Sequence, residues 1–115
     1  MDEIELINAP ITRQRLKEIA EKRFGDMVKG VVDIEKGIMA LGAELHADEE
    51  AFLLENGSLQ RNLWGINLYV ELSIPDFLEY DSMINIRPSQ NNRSRGVENP
   101  IIRQQIELIV RKLVP

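Results

Sequence analysis

The chain has 115 residues, of which 43% are hydrophobic and 29% charged, a composition typical of one ordinary globular domain. It contains no cysteine, which excludes disulfides, thiolate metal sites and cysteine nucleophiles. The net charge of −5 argues against general nucleic-acid binding, which needs a basic face. No apolar run approaches the roughly 18 residues that cross a bilayer, and Met1-Asp2-Glu3 does not begin a signal peptide. We therefore expect a cytoplasmic protein without membrane contact.

The first half of the chain predicts one helix followed by a hairpin. Residues 1–9 suit either a short strand or a flexible arm. Thr12 is a good N-cap for a helix over residues 12–24, where apolar residues recur at helical spacing. The segments 28–34 and 38–45 are rich in Val, Ile and Leu and are separated by a glycine-containing turn, so we expect two antiparallel strands.

The second half repeats the alternation of helix and strand. A short helix is expected over 47–55, and Asn99-Pro100 supplies an N-cap and a first-turn proline for a helix over 100–113. Strands are expected over 63–72 and 77–87. Alternation along the first of these predicts one apolar face, made of Trp64, Ile66, Leu68 and Val70. The order α-β-β-α-β-β-α predicts a single α+β domain in which an antiparallel sheet of about four strands carries N-terminal, middle and C-terminal helices on one side.

The segment 82–97, SMINIRPSQNNRSRGV, carries an unusual density of hydrogen-bonding side chains directly after the last predicted strand. Guanidinium groups bind phosphate and carboxylate through paired N–H donors, and amides and hydroxyls add neutral donors. The segment therefore predicts a site for an anionic group. The candidate ligand-binding residues are Asn85, Arg87, Ser89, Gln90, Arg93 and Arg95. Alternatively, these arginines pair with carboxylates of the protein itself.

A second group of candidates lies in the sequence E-L-H-A-D, where Glu44, His46 and Asp48 fall around the end of a predicted strand. His46 could act as a general base oriented by a carboxylate, or it could be a structural histidine bonded at the junction of strand and helix. These three residues could also be ligands of a divalent ion, but a lone histidine makes a metal site the weaker interpretation. We expect neither a metal nor a cofactor. If the strands are correct, strand parity brings this group towards Asn85 and Arg87.

Two stretches together resemble a known family: GAELHADEEAFLLENGSLQRNLWGINLY and SMINIRPSQNNRSRGVENP. They are similar to small prokaryotic proteins classed as domain of unknown function 5674, over residues from Val28 to the C-terminus. This chain has Ala43 where the family favours glycine, and Asn91-Asn92 where it favours Gly-Asn. Because asparagine tolerates positive φ, a turn at Asn91 can survive that change. The resemblance implies no activity and assigns no site residue.

Two classes of function remain open from the sequence. The first is a small soluble binding module that holds an anionic ligand or partner group with the segment from Arg87 to Arg95. The second is a small hydrolase that uses His46 with Glu44 or Asp48 and the arginines. The composition also leaves a homodimer open.

Overall fold

The computed structural model describes residues 3–115, which form one five-stranded antiparallel sheet and three α-helices. Their bounds are β1 Glu5–Ile7, α1 Arg13–Glu21, β2 Met27–Asp33, β3 Ile38–Leu41, α2 His46–Glu55, β4 Leu63–Tyr69, β5 Leu78–Glu79 and α3 Pro100–Leu113. Short 3₁₀ turns lie at Gln60–Asn62, Met83–Asn85 and Pro88–Gln90. The strand order is β1-β3-β2-β4-β5. The predicted α+β class, with an antiparallel sheet and three helices, is confirmed.

The three central strands form where the sequence predicted them: β2 is displaced by one residue from the predicted 28–34, and β3 and β4 end earlier than predicted. Val32 of β2 pairs with Met39 of β3 on one side and with Trp64 of β4 on the other. The β2–β3 turn uses Gly37 at φ +68°, a conformation that costs glycine little. Gly42 at φ +104° ends β3 at Leu41 rather than at residue 45.

The first strand decides between the two alternatives for residues 1–9: Glu5–Ile7 form a short strand and not a flexible arm. Residues Glu5–Ile7 pair with β3 and form an edge of the sheet, with Ile7 opposite Met39. The Ile7 side chain is buried in the core, which provides the free energy that holds the segment in place. Residues 1 and 2 lie outside the described part of the chain.

The predicted strand over 77–87 is wrong beyond Glu79. Only Leu78–Glu79 pairs with β4, and the chain then turns into the 3₁₀ segment Met83–Asn85. Ser82 begins this turn by accepting a hydrogen bond from the backbone N–H of Ile84. A serine that caps a turn competes with strand formation, and this option is invisible in a simple alternation of apolar residues. The parity assigned to Asn85 and Arg87 is therefore lost.

Helices cover both faces of the sheet, so the prediction that they pack on one side is wrong. α1 and α3 pack on the face that carries Trp64, whereas Leu53 of α2 packs on the opposite face against Val31 and Leu63. The reason lies in β2, where the neighbouring residues Val31 and Val32 are both fully buried although they point to opposite faces. A sheet with two apolar faces needs two covering layers.

The two predicted N-caps are confirmed, and α2 begins at His46, one residue earlier than predicted. The Thr12 hydroxyl accepts a hydrogen bond from the N–H of Arg15 at 3.0 Å. The Asn99 side chain accepts one from the N–H of Ile101 at 2.9 Å, directly before Pro100. These bonds satisfy N–H groups that have no partner within the helix.

Candidate functional site

Three polar side chains form a row across the sheet on the face that α2 covers. Lys29 of β2 is directly opposite Asn67 of β4, and Asn67 is directly opposite Glu79 of β5. Side chains directly opposite each other on antiparallel strands are about 5 Å apart at Cβ, so the three lie within contact distance of their neighbours. The row places a cation, an amide and a carboxylate side by side on one surface.

The first turn of α2 and the segment after β5 enclose this row and form a cleft of about 420 Å³, which we call the α2 cleft. Its polar lining residues are Lys29, His46, Asn67, Tyr69, Glu79, Asp81, Ser82 and Arg95. Its apolar lining residues are Met27, Leu45, Ala47, Met83 and Ile84. Leu45 and Met83 are 54% and 65% exposed, so apolar surface rims a polar floor. Such a combination is typical of a small-molecule site.

His46 is the first residue of α2 and lies 8% exposed at the floor of the α2 cleft. Its Nε2 is 2.8 Å from the carbonyl oxygen of Ile66. Because a carbonyl only accepts, Nε2 carries the proton, and Nδ1 of the neutral ring is left as an acceptor. Burial lowers the pKa of His46 below its ordinary value, more than the Ile66 carbonyl raises it. The imidazole is therefore neutral at pH 7.

Asn67 connects the α2 cleft to the edge of the sheet. Its Nδ2 donates to Glu79 Oε1 at 2.8 Å and to the carbonyl oxygen of Asp81 at 3.2 Å, which fixes the orientation of the amide. Oδ1 forms no hydrogen bond within residues 3–115, although Asn67 is only 6% exposed; the Asn67 side chain does approach the His46 ring, and this contact acts to raise the pKa of His46 against the larger effect of burial. A buried acceptor without a donor costs about 1–3 kcal/mol, so it needs an explanation.

The Tyr69 hydroxyl donates to the same oxygen of Glu79 at 2.9 Å. Burial, followed by the hydrogen bond to Glu79, raises the pKa of Tyr69, so the phenol stays protonated and continues to donate. Glu79 Oε1 is therefore held by two donors. Its other oxygen takes no part in these two bonds.

Two cationic side chains line the α2 cleft. Arg95 uses its Nε to bind Asp81 at 2.6 Å, which leaves the terminal nitrogens of the guanidinium available. Lys29 lies over the Phe24 ring, with Nζ 5.2 Å from the ring centroid, and forms no ion pair with any carboxylate of the described chain. With Glu79 and Asp81 present, the formal charge of the cleft is balanced.

The structure places the predicted ligand-binding arginine Arg87 in the interior. Its guanidinium donates to the carbonyl oxygens of Gln60 and Leu63 and to Gln90 Oε1, and it stacks over the Trp64 ring at 4.3 Å. Burial lowers the pKa of Arg87, but a guanidinium remains charged in proteins. Arg87 thus fastens the loop to the start of β4 and does not line the α2 cleft.

Asn85 and Asn92 are also built into the fold. The buried Asn85 amide accepts from the N–H of Gly65 at 2.8 Å and donates to the carbonyl oxygens of Gly65 and Arg95. Asn92 donates to the carbonyl oxygens of Asn85, Ser94 and Gly96 and accepts from the N–H of Glu98. The two amides shape the segment that carries Arg95 to the α2 cleft.

The turn before Asn92 follows the expectation for a left-handed residue. Asn91 has φ +60°, the one positive φ at a non-glycine residue within the described chain. The position where the family favours glycine is therefore one that requires a left-handed backbone.

The remaining loop candidates lie on the surface. Ser89 and Arg93 are exposed, and Gln90 links Arg87 to the carbonyl oxygen of Arg61. The carboxylate of Glu98 accepts the backbone N–H groups of Arg93 and Ser94, which lowers the pKa of Glu98. Only Arg95 of the six predicted ligand-binding residues lines the α2 cleft.

The proposed catalytic group is not brought together at the end of a strand. His46 lines the α2 cleft, but Glu44 and Asp48 are exposed and are not part of its lining. β3 ends at Leu41, and His46 and Asp48 both belong to α2, so strand parity does not relate them. Within residues 3–115 no group of three His, Asp or Glu side chains is arranged to hold a metal ion.

Sequence reasoning missed Lys29, Tyr69 and Glu79 as members of the site. Asn67 and Tyr69 alternate with the apolar residues of β4 and so lie on its opposite face, but the neighbours of that face depend on strand register. The register of β2 and β5 against β4 supplies Lys29 and Glu79. A row of polar residues that crosses several strands can be recognised only when the pairing of those strands is known.

A second depression, of about 510 Å³, follows the outer surface of α3 beside Tyr80 and Leu108. It is larger than the α2 cleft, but its lining contains none of the buried, unsatisfied side-chain atoms within residues 3–115. The α2 cleft is therefore the stronger candidate for a ligand site.

None of the helices within residues 3–115 is long and apolar enough to cross a membrane.

Comparison with known proteins agrees with the resemblance in the sequence. No curated protein and no solved structure matches the chain significantly. A family model described as "Protein of unknown function (DUF5674)" matches residues 5–113, so the match extends from β1 to the end of α3. The chain belongs to this family.

Proposed function

We propose that the protein is a small-molecule binding module that holds an anionic ligand in the α2 cleft. The observation that carries the proposal is the presence of Lys29 and of the terminal nitrogens of Arg95 in one cleft with a polar floor and an apolar rim. The terminal nitrogens of a guanidinium suit phosphate or carboxylate oxygens, and Lys29 adds a second charge. Of the arginines in the loop that the sequence predicted to bind an anion, the proposal retains only Arg95.

The geometry of the loop explains this shift. The guanidinium of Arg87 donates hydrogen bonds to the backbone carbonyl oxygens of Gln60 and Leu63, and Arg93 is exposed. An exposed arginine without a surrounding cavity contributes little affinity because its charge is screened by water and salt. Arg95 is also largely exposed, with 56% of its side chain accessible, but it differs from Arg93 because it lines the α2 cleft.

The hydrolase alternative ranks second. It retains one supporting observation, a neutral imidazole in the α2 cleft whose Nδ1 is an acceptor. The carboxylates Glu44 and Asp48, which were to orient this base, lie outside the cleft, and a backbone carbonyl orients His46 instead. Hydrolysis of nitrophenyl phosphate and nitrophenyl acetate that disappears in His46→Gln would favour the enzyme.

Phosphate binding can be measured directly by NMR titration of the ¹⁵N-labelled protein with inorganic phosphate and with propyl phosphate. We expect shifts at the backbone amides of residues 29, 46–47 and 95, and a dissociation constant that rises about tenfold when one charge-assisted bond is removed. The test variants are Lys29→Gln and Arg95→Gln.

Arg93→Gln is the matched control, because it removes an arginine of the same loop that does not line the cleft. We expect this variant to bind propyl phosphate like the wild type. If Arg93→Gln weakens binding and Arg95→Gln does not, the anion binds to the exposed loop. If no phosphate shifts any of these amides at millimolar concentration, the proposed function is wrong.

A further inference from the structure

The charges of the α2 cleft do not suit an anion alone. Lys29 and Arg95 are balanced by Glu79 and Asp81, and one oxygen of Glu79 lies outside the bonds that Asn67 and Tyr69 make to the other. A ligand that carried only negative charge would meet attraction at one wall and repulsion at another. The balance favours a ligand with an anionic end and a hydrogen-bond donor.

The position of that donor is marked by Asn67 Oδ1. This atom is buried and accepts no hydrogen bond within the described chain: Nδ1 of the neutral His46 ring, which the Asn67 side chain approaches, carries no hydrogen, and both hydrogens of the Asn67 amide are in use. Exchanging the amide oxygen and nitrogen would not help, because Glu79 Oε1 and the Asp81 carbonyl are both acceptors. His46 Nδ1 adds a second acceptor to the same cleft. Asn67 Oδ1 and His46 Nδ1 are therefore two acceptors without a shared donor.

Resting on the proposed function, we propose that the ligand is a small acid that also bears an ammonium or hydroxyl group, and that Asn67 Oδ1 receives this group. The anionic end then lies towards Lys29 and Arg95, and the donor lies at Asn67 Oδ1, on the side of His46 Nδ1. An analogue without the donor leaves the acceptor of Asn67 unpaired, which is the situation that sites of this kind reject most strongly.

Isosteric pairs of probes test this directly. 2-Aminoethyl phosphate and 2-hydroxyethyl phosphate match propyl phosphate in size, and 4-aminobutyrate matches pentanoate. The hydroxyl probe differs from its isostere without a change of net charge, whereas each ammonium probe also adds one positive charge, so the hydroxyl pair isolates the hydrogen-bonding group. The dissociation constants are measured by NMR titration of the wild type, with the side-chain amide signal of Asn67 as the local reporter. We expect each donor-bearing probe to bind at least about tenfold more tightly than its methyl isostere.

The variant Asn67→Leu removes the acceptor and should abolish the preference, while Arg93→Gln should retain it. Equal affinities within the pairs in the wild type, or a preference that persists in Asn67→Leu, would overturn the inference while phosphate binding still stood. If Asn67→Leu does not fold, the wild-type pairs and the Asn67 amide shift decide alone: a shift without a preference overturns it. Absence of binding by every probe would refute the proposed function instead.

Discussion

Replacing Arg87 with alanine should destabilise the protein strongly, although the residue lies in a loop. The side chain is 9% exposed and donates three hydrogen bonds, to the carbonyl oxygens of Gln60 and Leu63 and to Gln90 Oε1. At about 1 kcal/mol net for each bond, these contribute about 3 kcal/mol. Stacking over Trp64 at 4.3 Å adds about 1 kcal/mol.

Part of this gain is offset by the cost of burying a charge, which also lowers the pKa of Arg87. We therefore expect Arg87→Ala to lower the free energy of unfolding by about 3 kcal/mol. Arg87→Lys should recover only a minor part, because an ammonium cannot bridge two carbonyl oxygens and stack on an indole at the same time.

The assay is urea denaturation followed by Trp64 fluorescence and circular dichroism, with Arg93→Ala as the control. Arg93→Ala makes the same change of charge in the same loop at an exposed site, so we expect an effect within about 0.5 kcal/mol. If Arg87→Ala loses less than about 1 kcal/mol, or no more than Arg93→Ala, then Arg87 does not fasten the loop and our account of it is wrong.

Three further predictions follow from the same contacts. Gly65→Ala should cost about 2 kcal/mol, because its Cβ would lie 2.5 Å from Ser82 Cβ, whereas Gly96→Ala, whose Cβ would be 3.5 Å from its nearest neighbour, should be tolerated in the same denaturation assay. The single histidine, His46, should titrate by NMR below its ordinary pKa of 6.5. The free energy of unfolding should therefore fall as the pH drops through the folded-state pKa, and this pH dependence should be absent in His46→Gln. The pKa of Glu98 should lie below the ordinary glutamate value, so its contribution is present at neutral pH and lost in acid; an unshifted carboxyl signal in an NMR titration would show that the backbone N–H bonds are absent.

The fold was largely predictable because its long elements carry strong local patterns. α3 has an N-cap, a first-turn proline and an apolar stripe, whose residues Ile106, Val110 and Leu113 are buried. β4 alternates in hydrophobicity, and Trp64 and Ile66 share the face that α1 and α3 cover. Local patterns of this length leave few alternative conformations.

The segment after β5 was not predictable in the same way, because its conformation depends on partners distant in sequence. Asn85 is fixed by Gly65, twenty residues earlier, and Arg87 by Gln60 and Leu63. A run of apolar and polar residues cannot reveal that a side-chain amide takes the place of a strand. The same limit applied to the site: the density of polar groups identified the loop, but only the paired strands identify Lys29 and Glu79 as neighbours of Asn67.

The bonds that Asn85 and Arg87 make to β4 have a consequence for solubility. β5 covers the outer edge of β4 only at Asn67 and beyond, and the exposed remainder would be an apolar strand edge open to other chains. Asn85 satisfies the N–H and the carbonyl of Gly65, and Arg87 satisfies the carbonyl of Leu63. Side chains thus close the edge against strand addition and intermolecular aggregation. A variant that loses either residue should precipitate more readily than its loss of stability alone would cause.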